Sequence, residues 1–406
     1  MQTMQTMHRK VSIILLMVLF MINLAACGGT AGAGGSQTVV IGTTLPLTGS
    51  LASFGPLIQT GYMQAVNDIN ASGGLTVGGT KHKVRLIVLD NQSDPNMASQ
   101  QARTLLLKDN AIALLGAFSP PLDIPISNVG EQLHRPVIQS LTPLEAWLSG
   151  RQGGWNYAWD LFFDENQMTN LQFQTSNLVK TNKRVALFTD TEEDGITMGK
   201  LWEQKAPQFG YQVVYHAQFP VGTTNFSSQI AAAQAAKADV LIAQMIPPDA
   251  AELWKQMKSL GYQPKTAFCE KCAATSAWRT ILGPVAEGTM TVDWWSPSLG
   301  LPDTNRFIST YGKNGITTDL SVIVAMDSTA QILFDAITRA NSLDPAAINT
   351  AIGKTNKTYP VGHIQFKSNH TAQLIAGMDQ WQGQNMVRVY PTSQGAANVE
   401  SPTPGL

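Results

Sequence analysis

Hydrophobic positions along this chain change their period in a regular order. Residues 38–45 are apolar or β-branched throughout, as a strand covered on both faces requires. A loop follows at 49–56. Leu57, Ile58, Tyr62, Ala65, Val66 and Ile69 then recur at the spacing that puts them on one face of a helix. Gly73 and Gly74 end that helix, and residues 83–89 alternate as a second strand. Asp94 before Pro95 predicts a helix start, with a capping carboxylate and proline at the first helical position. Met97, Ala98, Ala102, Leu105 and Leu106 give it an apolar face. Residues 111–117 are wholly apolar and predict a third strand; 136–139 predict a short fourth. A Trp-rich connector spans 147–163. The rhythm then restarts, with strands expected at 184–189, 211–219 and 238–246 and helices at 196–209, 227–236 and 249–260. Such alternation predicts an α/β fold with doubly wound parallel sheets.

One motif recurs. LLGAFSPP at 114–121 and LIAQMIPP at 241–248 each pair an apolar strand with a short turn and a Pro-Pro that opens a helix. The echo predicts two similar lobes. Helices at 320–340 and 345–352 and strand-like segments at 364–366 and 386–390 return to both. The expected division is 38–162 with 290–370 for the first lobe and 163–289 with 371–391 for the second. Residues 392–406 are rich in Ser, Pro and Gly, which predicts a disordered tail.

The N-terminus has a different character. His8, Arg9 and Lys10 precede an uncharged run at 11–22, which ends in Leu24, Ala25, Ala26 and Cys27. A charged start, an apolar core and small residues make residues 1–26 a secretory signal. The run is shorter than the roughly 20 residues that a spanning helix needs. The small-small-Cys ending resembles a bacterial lipobox, which implies lipidation of Cys27 as the mature N-terminus. Residues 27–37 are Gly-rich and read as a flexible linker that holds a folded body off a membrane.

Hydrophobic content of 44% supports a large core, and 14% charged residues is low against the usual quarter. Loss of Arg9 and Lys10 on cleavage takes the net charge from -1 to -3. There is no basic stripe, so a nucleic-acid partner is not expected. Cys269 and Cys272 form a C-x2-C in an exported chain, where disulfides persist. No second ligand pair has zinc spacing. A local disulfide ranks first for this pair, two free thiols second and redox catalysis third. The phosphate-binding, metalloprotease and nucleophile-elbow motifs are missing, and the six His are dispersed. No enzyme activity, cofactor or metal site is expected.

In order along the chain, IGTTLPLTG at 41–49, GYMQAVNDIN at 61–70 with Gly73 and Gly74, and DNQSDP at 90–95 resemble type I periplasmic binding proteins. Gly116, Ser119, residues 164–167, AEG at 286–288 and Met326 with Asp327 extend the match over nearly the whole mature chain. The resemblance is to the leucine/isoleucine/valine-binding branch that serves ABC importers. It implies two Rossmann-like lobes with parallel sheets, joined by three crossovers, that close on a small ligand. It also implies ABC permease subunits as partners, and a branched-chain amino acid or a related ligand.

The candidate binding residues follow from position and resemblance. Ser119 ends a strand before Pro120 and Pro121, where a helix N-cap and an anion site coincide. Thr142 opens a T-x-x-E capping box with Pro143 and Glu145. Relatives hold a ligand carboxylate at these loops, and Ser140 lies at the same strand end. Phe54 and Phe118 are candidate aromatic walls. In the second lobe, TDTEEDG at 189–195 puts Asp194 where relatives often carry Tyr. Glu270 lies near the place of their ammonium-binding acid, and Gln244 ends the strand beside it. Trp147, Trp155, Trp159, Trp294 and Trp295 suggest an aromatic-lined cleft that favours a larger or aromatic body, such as an aromatic carboxylate. Two rival readings remain: a sensor of the same fold, and an exported thiol-dependent α/β enzyme.

Overall fold

Two sheets organise the computed structural model, which describes residues 38–312, 315–392 and 396–406. The expected signal peptide, Cys27 and the linker lie outside the described residues. The strands are β1 (Val39–Leu45), β2 (Leu75–Val77), β3 (Thr80–His82), β4 (Val84–Asp90), β5 (Ala113–Leu115), β6 (Val137–Ser140), β7 (Ala158–Phe162), β8 (Arg184–Asp190), β9 (Gln212–Phe219), β10 (Val240–Gln244), β11 (Thr266–Glu270), β12 (Thr289–Asp293), β13 (Asn356–Tyr359), β14 (Gly362–Gln365), β15 (Thr371–Gln373), β16 (Gly377–Gln382) and β17 (Asn385–Tyr390).

The first sheet runs β15-β7-β6-β5-β1-β4, with every pairing parallel. The second runs β17-β16-β12-β11-β10-β8-β9 and is parallel except at β16 and β17. Strands β5, β6, β10 and β11 are buried at every residue. That burial explains why their sequences do not alternate: parallel sheets are covered on both faces. The chain passes between sheets after β7, after β12 and after β15.

Two expected lobe boundaries miss by one strand each. Thr289–Asp293, assigned mostly to the first lobe, pairs with β11 and β16 in the second sheet. Thr371–Gln373, assigned to the second lobe, pairs with β7 in the first. An apolar strand carries no local mark of the sheet it will join. The Trp-rich connector contains β7, and the helix Glu165–Ser176 follows it. Nor is the whole tail loose. Thr403 and Leu406 are buried, and the Thr403 and Gly405 amides donate to the carbonyls of Pro264 and Glu287 of the second lobe. Its Pro and Ser composition hides a few residues that pack on the second lobe, with Leu406 in its apolar core.

Two helices start with an aspartate cap before proline, at Asp94 and Asp344. Asp94 accepts from the Met97 amide at 2.7 Å. The helix Leu320–Ala340 is buried along most of its length and packs on Gly55–Ala71. It is long and apolar enough to cross a bilayer, but here it is a core helix. Gly61 permits this packing, since a Cβ there would lie 2.4 Å from the Ile323 carbonyl oxygen.

Candidate functional site

The carboxyl ends of strands from both sheets converge on one cavity. Ligands of open α/β sheets bind beyond such strand ends. Phe54 follows β1, and Phe118 and Ser119 follow β5; all three line the cavity. The two phenylalanine rings stack with centroids 3.9 Å apart. Phe162 and Phe163 end β7, and Trp294 meets the Phe162 ring edge-on at 4.7 Å. The first lobe and its crossover therefore supply an apolar, aromatic enclosure.

Ser119 has φ 68°, a costly left-handed conformation for a residue with a Cβ. Its hydroxyl is buried and has no partner. It does not cap the following helix through its side chain. Pro120 and Pro121 bring no N–H to the first turn, and the Leu122 and Asp123 amides both donate to the Ser119 carbonyl. The expected helix-terminus anion site therefore shrinks to the Ser119 hydroxyl.

Two other candidates stand aside from the cavity. The Ser140 hydroxyl donates to the Leu161 carbonyl at 2.7 Å. Thr142 donates to Asp123 at 2.6 Å, and the Ala117 amide donates to the other oxygen of that carboxylate at 2.6 Å. Burial pushes Asp123 up to about 7, against these two bonds. The network ties together the loops after β5 and β6. Gly116 makes room for it, because a Cβ there would approach the Gln139 Cβ to 2.2 Å and Asp123 Oδ1 to 2.9 Å.

The expected capping box at Thr142 is replaced by a reciprocal arrangement across the first crossover. Glu165 accepts from the Glu145 and Ala146 amides at 2.8 and 2.7 Å. Glu145 accepts from the Glu165 amide at 2.7 Å. Each helix start is thus capped by the other's glutamate. A local T-x-x-E pattern cannot reveal that its glutamate is taken by a helix 20 residues away.

The second lobe supplies the charged side chains of the lining: Asp194, Glu270 and Lys271. Gln244 donates through Nε2 to Asp194 at 2.6 Å, which leaves its Oε1 buried and unpartnered. A carboxylate only accepts, so this orientation is dictated by chemistry. Glu270 accepts from Gln172 at 2.8 Å, from the Thr291 hydroxyl at 3.1 Å and from the Val292 amide at 3.0 Å. Among the described residues it makes no ion pair. Burial pushes its carboxyl up to about 7, despite those three donors.

Lys271 pairs with Glu192 and, at 3.2 Å, with Asp194. Burial works against its ammonium, yet Asp194, Glu192 and Asp190 outweigh it and hold the charge. Asp190, Glu192 and Asp194 bring oxygens within 4.8 Å of one another, a spacing that can suit a metal ion. Here the lysine ammonium already compensates that cluster. Cys269 and Cys272 are buried and joined as a disulfide.

Six of the eight candidates therefore meet at one cavity: Phe54, Phe118, Ser119, Asp194, Gln244 and Glu270. Sequence reasoning missed Lys271, Phe162 and Phe163. The one available signal for Lys271 was its place between the two cysteines. Of the five tryptophans only Trp294 reaches the lining. Trp147 stacks on Trp155, and Trp159 on His370, away from it.

Comparison with known proteins agrees with this architecture. The profile of a family described as periplasmic binding protein matches residues 38–385. A Leu/Ile/Val-binding protein homolog of Brucella abortus is 26% identical over 404 residues, covering 94% of this chain and 99% of its own length. The crystal structure of a leucine binding protein from Thermotoga maritima superposes with a TM-score of 0.76 at 22% identity, covering 86% of this chain and 97% of the other. A solute binding protein of an ABC transporter from R. palustris, in complex with benzoate, gives 0.73 at 16% identity, with 87% and 95% covered.

Proposed function

This chain belongs to the periplasmic binding protein family, and we propose that it is the extracytoplasmic solute receptor of an ABC importer. It captures a small organic ligand between its lobes and presents it to membrane permease subunits. The observation that carries this reading is the cavity itself. It is enclosed by residues from both lobes and holds buried polar atoms with no protein partner, Ser119 Oγ and Gln244 Oε1. Buried polar atoms without partners are costly, and a bound ligand would satisfy them. Relatives with this fold include proteins described as binding leucine and one solved with benzoate.

The polar chemistry favours a ligand with an ammonium or other donor head over a simple aromatic acid. The free acceptor at the second-lobe wall is Gln244 Oε1, and Glu270 accepts only from neutral donors, while the lysine is already engaged. The aromatic enclosure suits a branched or aromatic body. An amino acid of apolar side chain meets both demands, with its carboxylate toward Ser119. The thiol-enzyme alternative lacks a nucleophile, because both candidate thiols are consumed in the disulfide. We further propose that residues 1–26 are removed on export and that Cys27 carries the lipid anchor. The function is tested by a thermal-shift screen followed by calorimetry with leucine, phenylalanine and benzoate. A ligand at a hundredfold over its Kd adds about 2.7 kcal/mol of apparent stability. Absence of any shift across amino acids, amides and aromatic acids would overturn the reading.

A further inference from the structure

Glu270 and Lys271 are the only residues between Cys269 and Cys272, and both line the cavity. Strand β11 ends at Glu270, where the chain must reverse to keep the strand end open to a ligand. The reversal is made at Lys271 with φ 69°, a left-handed conformation that favours glycine. Lysine holds it because two constraints meet there. Its ammonium is drawn to Glu192 and Asp194, and its backbone is closed into a ring with Cα atoms 5.6 Å apart at Cys269 and Cys272. The Cys272 sulfur also lies 3.2 Å from the Glu270 carbonyl oxygen.

We propose that the Cys269–Cys272 disulfide is a positioning device for the ligand site. It fixes the turn that sends the Lys271 ammonium onto Asp194 and Glu192. Asp194 then orients Gln244, and Glu270 is left as the unpaired carboxylate. A disulfide normally stabilises by restricting the unfolded chain, and that effect is smallest for a loop this short. Its main consequence here is local. Without the cross-link Lys271 relaxes toward negative φ, and its ammonium leaves the wall. Asp190, Glu192 and Asp194 then face one another with less compensation, and the cavity becomes more acidic.

The test compares wild type with Cys269→Ala/Cys272→Ala by amine footprinting with acetic anhydride, read by peptide mass spectrometry. Lys271 should acetylate at least about tenfold faster in the variant, as loss of burial and pairing exposes the amine. Lys255 and Lys258, on the outer helix of the same lobe, should label at the wild-type rate. The native protein reduced with a water-soluble phosphine should reproduce the effect. This footprint needs no ligand, so it stands or falls separately from the solute-binding reading. A second comparison rests on that reading. The more acidic wall should shift preference from phenylalanine toward phenethylamine, the same body without the carboxylate. A folded variant with Lys271 still protected would overturn the proposal. So would a variant that does not fold, since the bridge would then be a global staple.

Discussion

Glu270 is held by three neutral donors and no cation, and burial sets its protonation near neutrality. As an acid with a raised native value, it contributes stability that is full below its unfolded value near 4.5 and is lost as pH rises through about 7. An ammonium ligand requires the ionised form, so binding should follow the opposite course. Affinity for phenylalanine should rise by up to about tenfold per pH unit toward 7 and level off above it. Calorimetry across that range checks this, and a falling profile would instead indicate a ligand acceptor facing a protonated Glu270. Glu270→Gln should flatten the profile and weaken binding by about 1.5–3 kcal/mol, the range for a bond to a charged group. Ser119 and Thr142 separate a ligand role from a structural one. Ser119→Ala should cost about 1 kcal/mol of binding and little stability, because its hydroxyl has no protein partner. Thr142→Ala should cost about 1–3 kcal/mol of stability, because Asp123 loses a buried donor. Paired denaturation and titration of the two variants read the difference. Both hydroxyls look alike in the sequence; only the neighbour 19 residues away distinguishes them.

Individual elements show the same division. The helices Leu320–Ala340 and Pro345–Ile352 begin and end where the sequence places them. Their signals are local, carried within a few turns of chain. By contrast, β7 was hidden in a connector dense with aromatics, and β12 and β15 were assigned to the wrong sheets. Strand pairing is a contact between distant segments, which periodicity does not encode. The reciprocal capping at the first crossover is of this kind. Glu165→Ala should leave the Glu145 and Ala146 amides without partners and cost about 2 kcal/mol or more. Chemical denaturation measures it. Asp94→Ala, which removes an ordinary local cap, should cost about 1 kcal/mol.

For the whole molecule, enclosure of the cavity depends on both lobes. The Ser149 hydroxyl of the first lobe donates to Glu193 of the second at 2.9 Å, so the lobes meet at the cleft. Ligand contacts to both lobes bias such a closure. Anchoring is tested separately. Cys27→Ser should move the protein from the membrane fraction to the unprocessed or released pool, and an unchanged lipid-labelled membrane pool would overturn the anchor. By itself the sequence determined the α/β class, the two-lobed repeat, most helices and seven residues of the cavity wall, Trp294 among them. These rest on short-range period, proline and capping chemistry, and on ordered motifs. Tertiary structure alone decided which strands belong to which sheet, that Thr142 and Ser140 serve the framework, and that Lys271 joins the site. Each depends on which distant groups burial brings within hydrogen-bond reach, and that proximity is created only when the lobes pack.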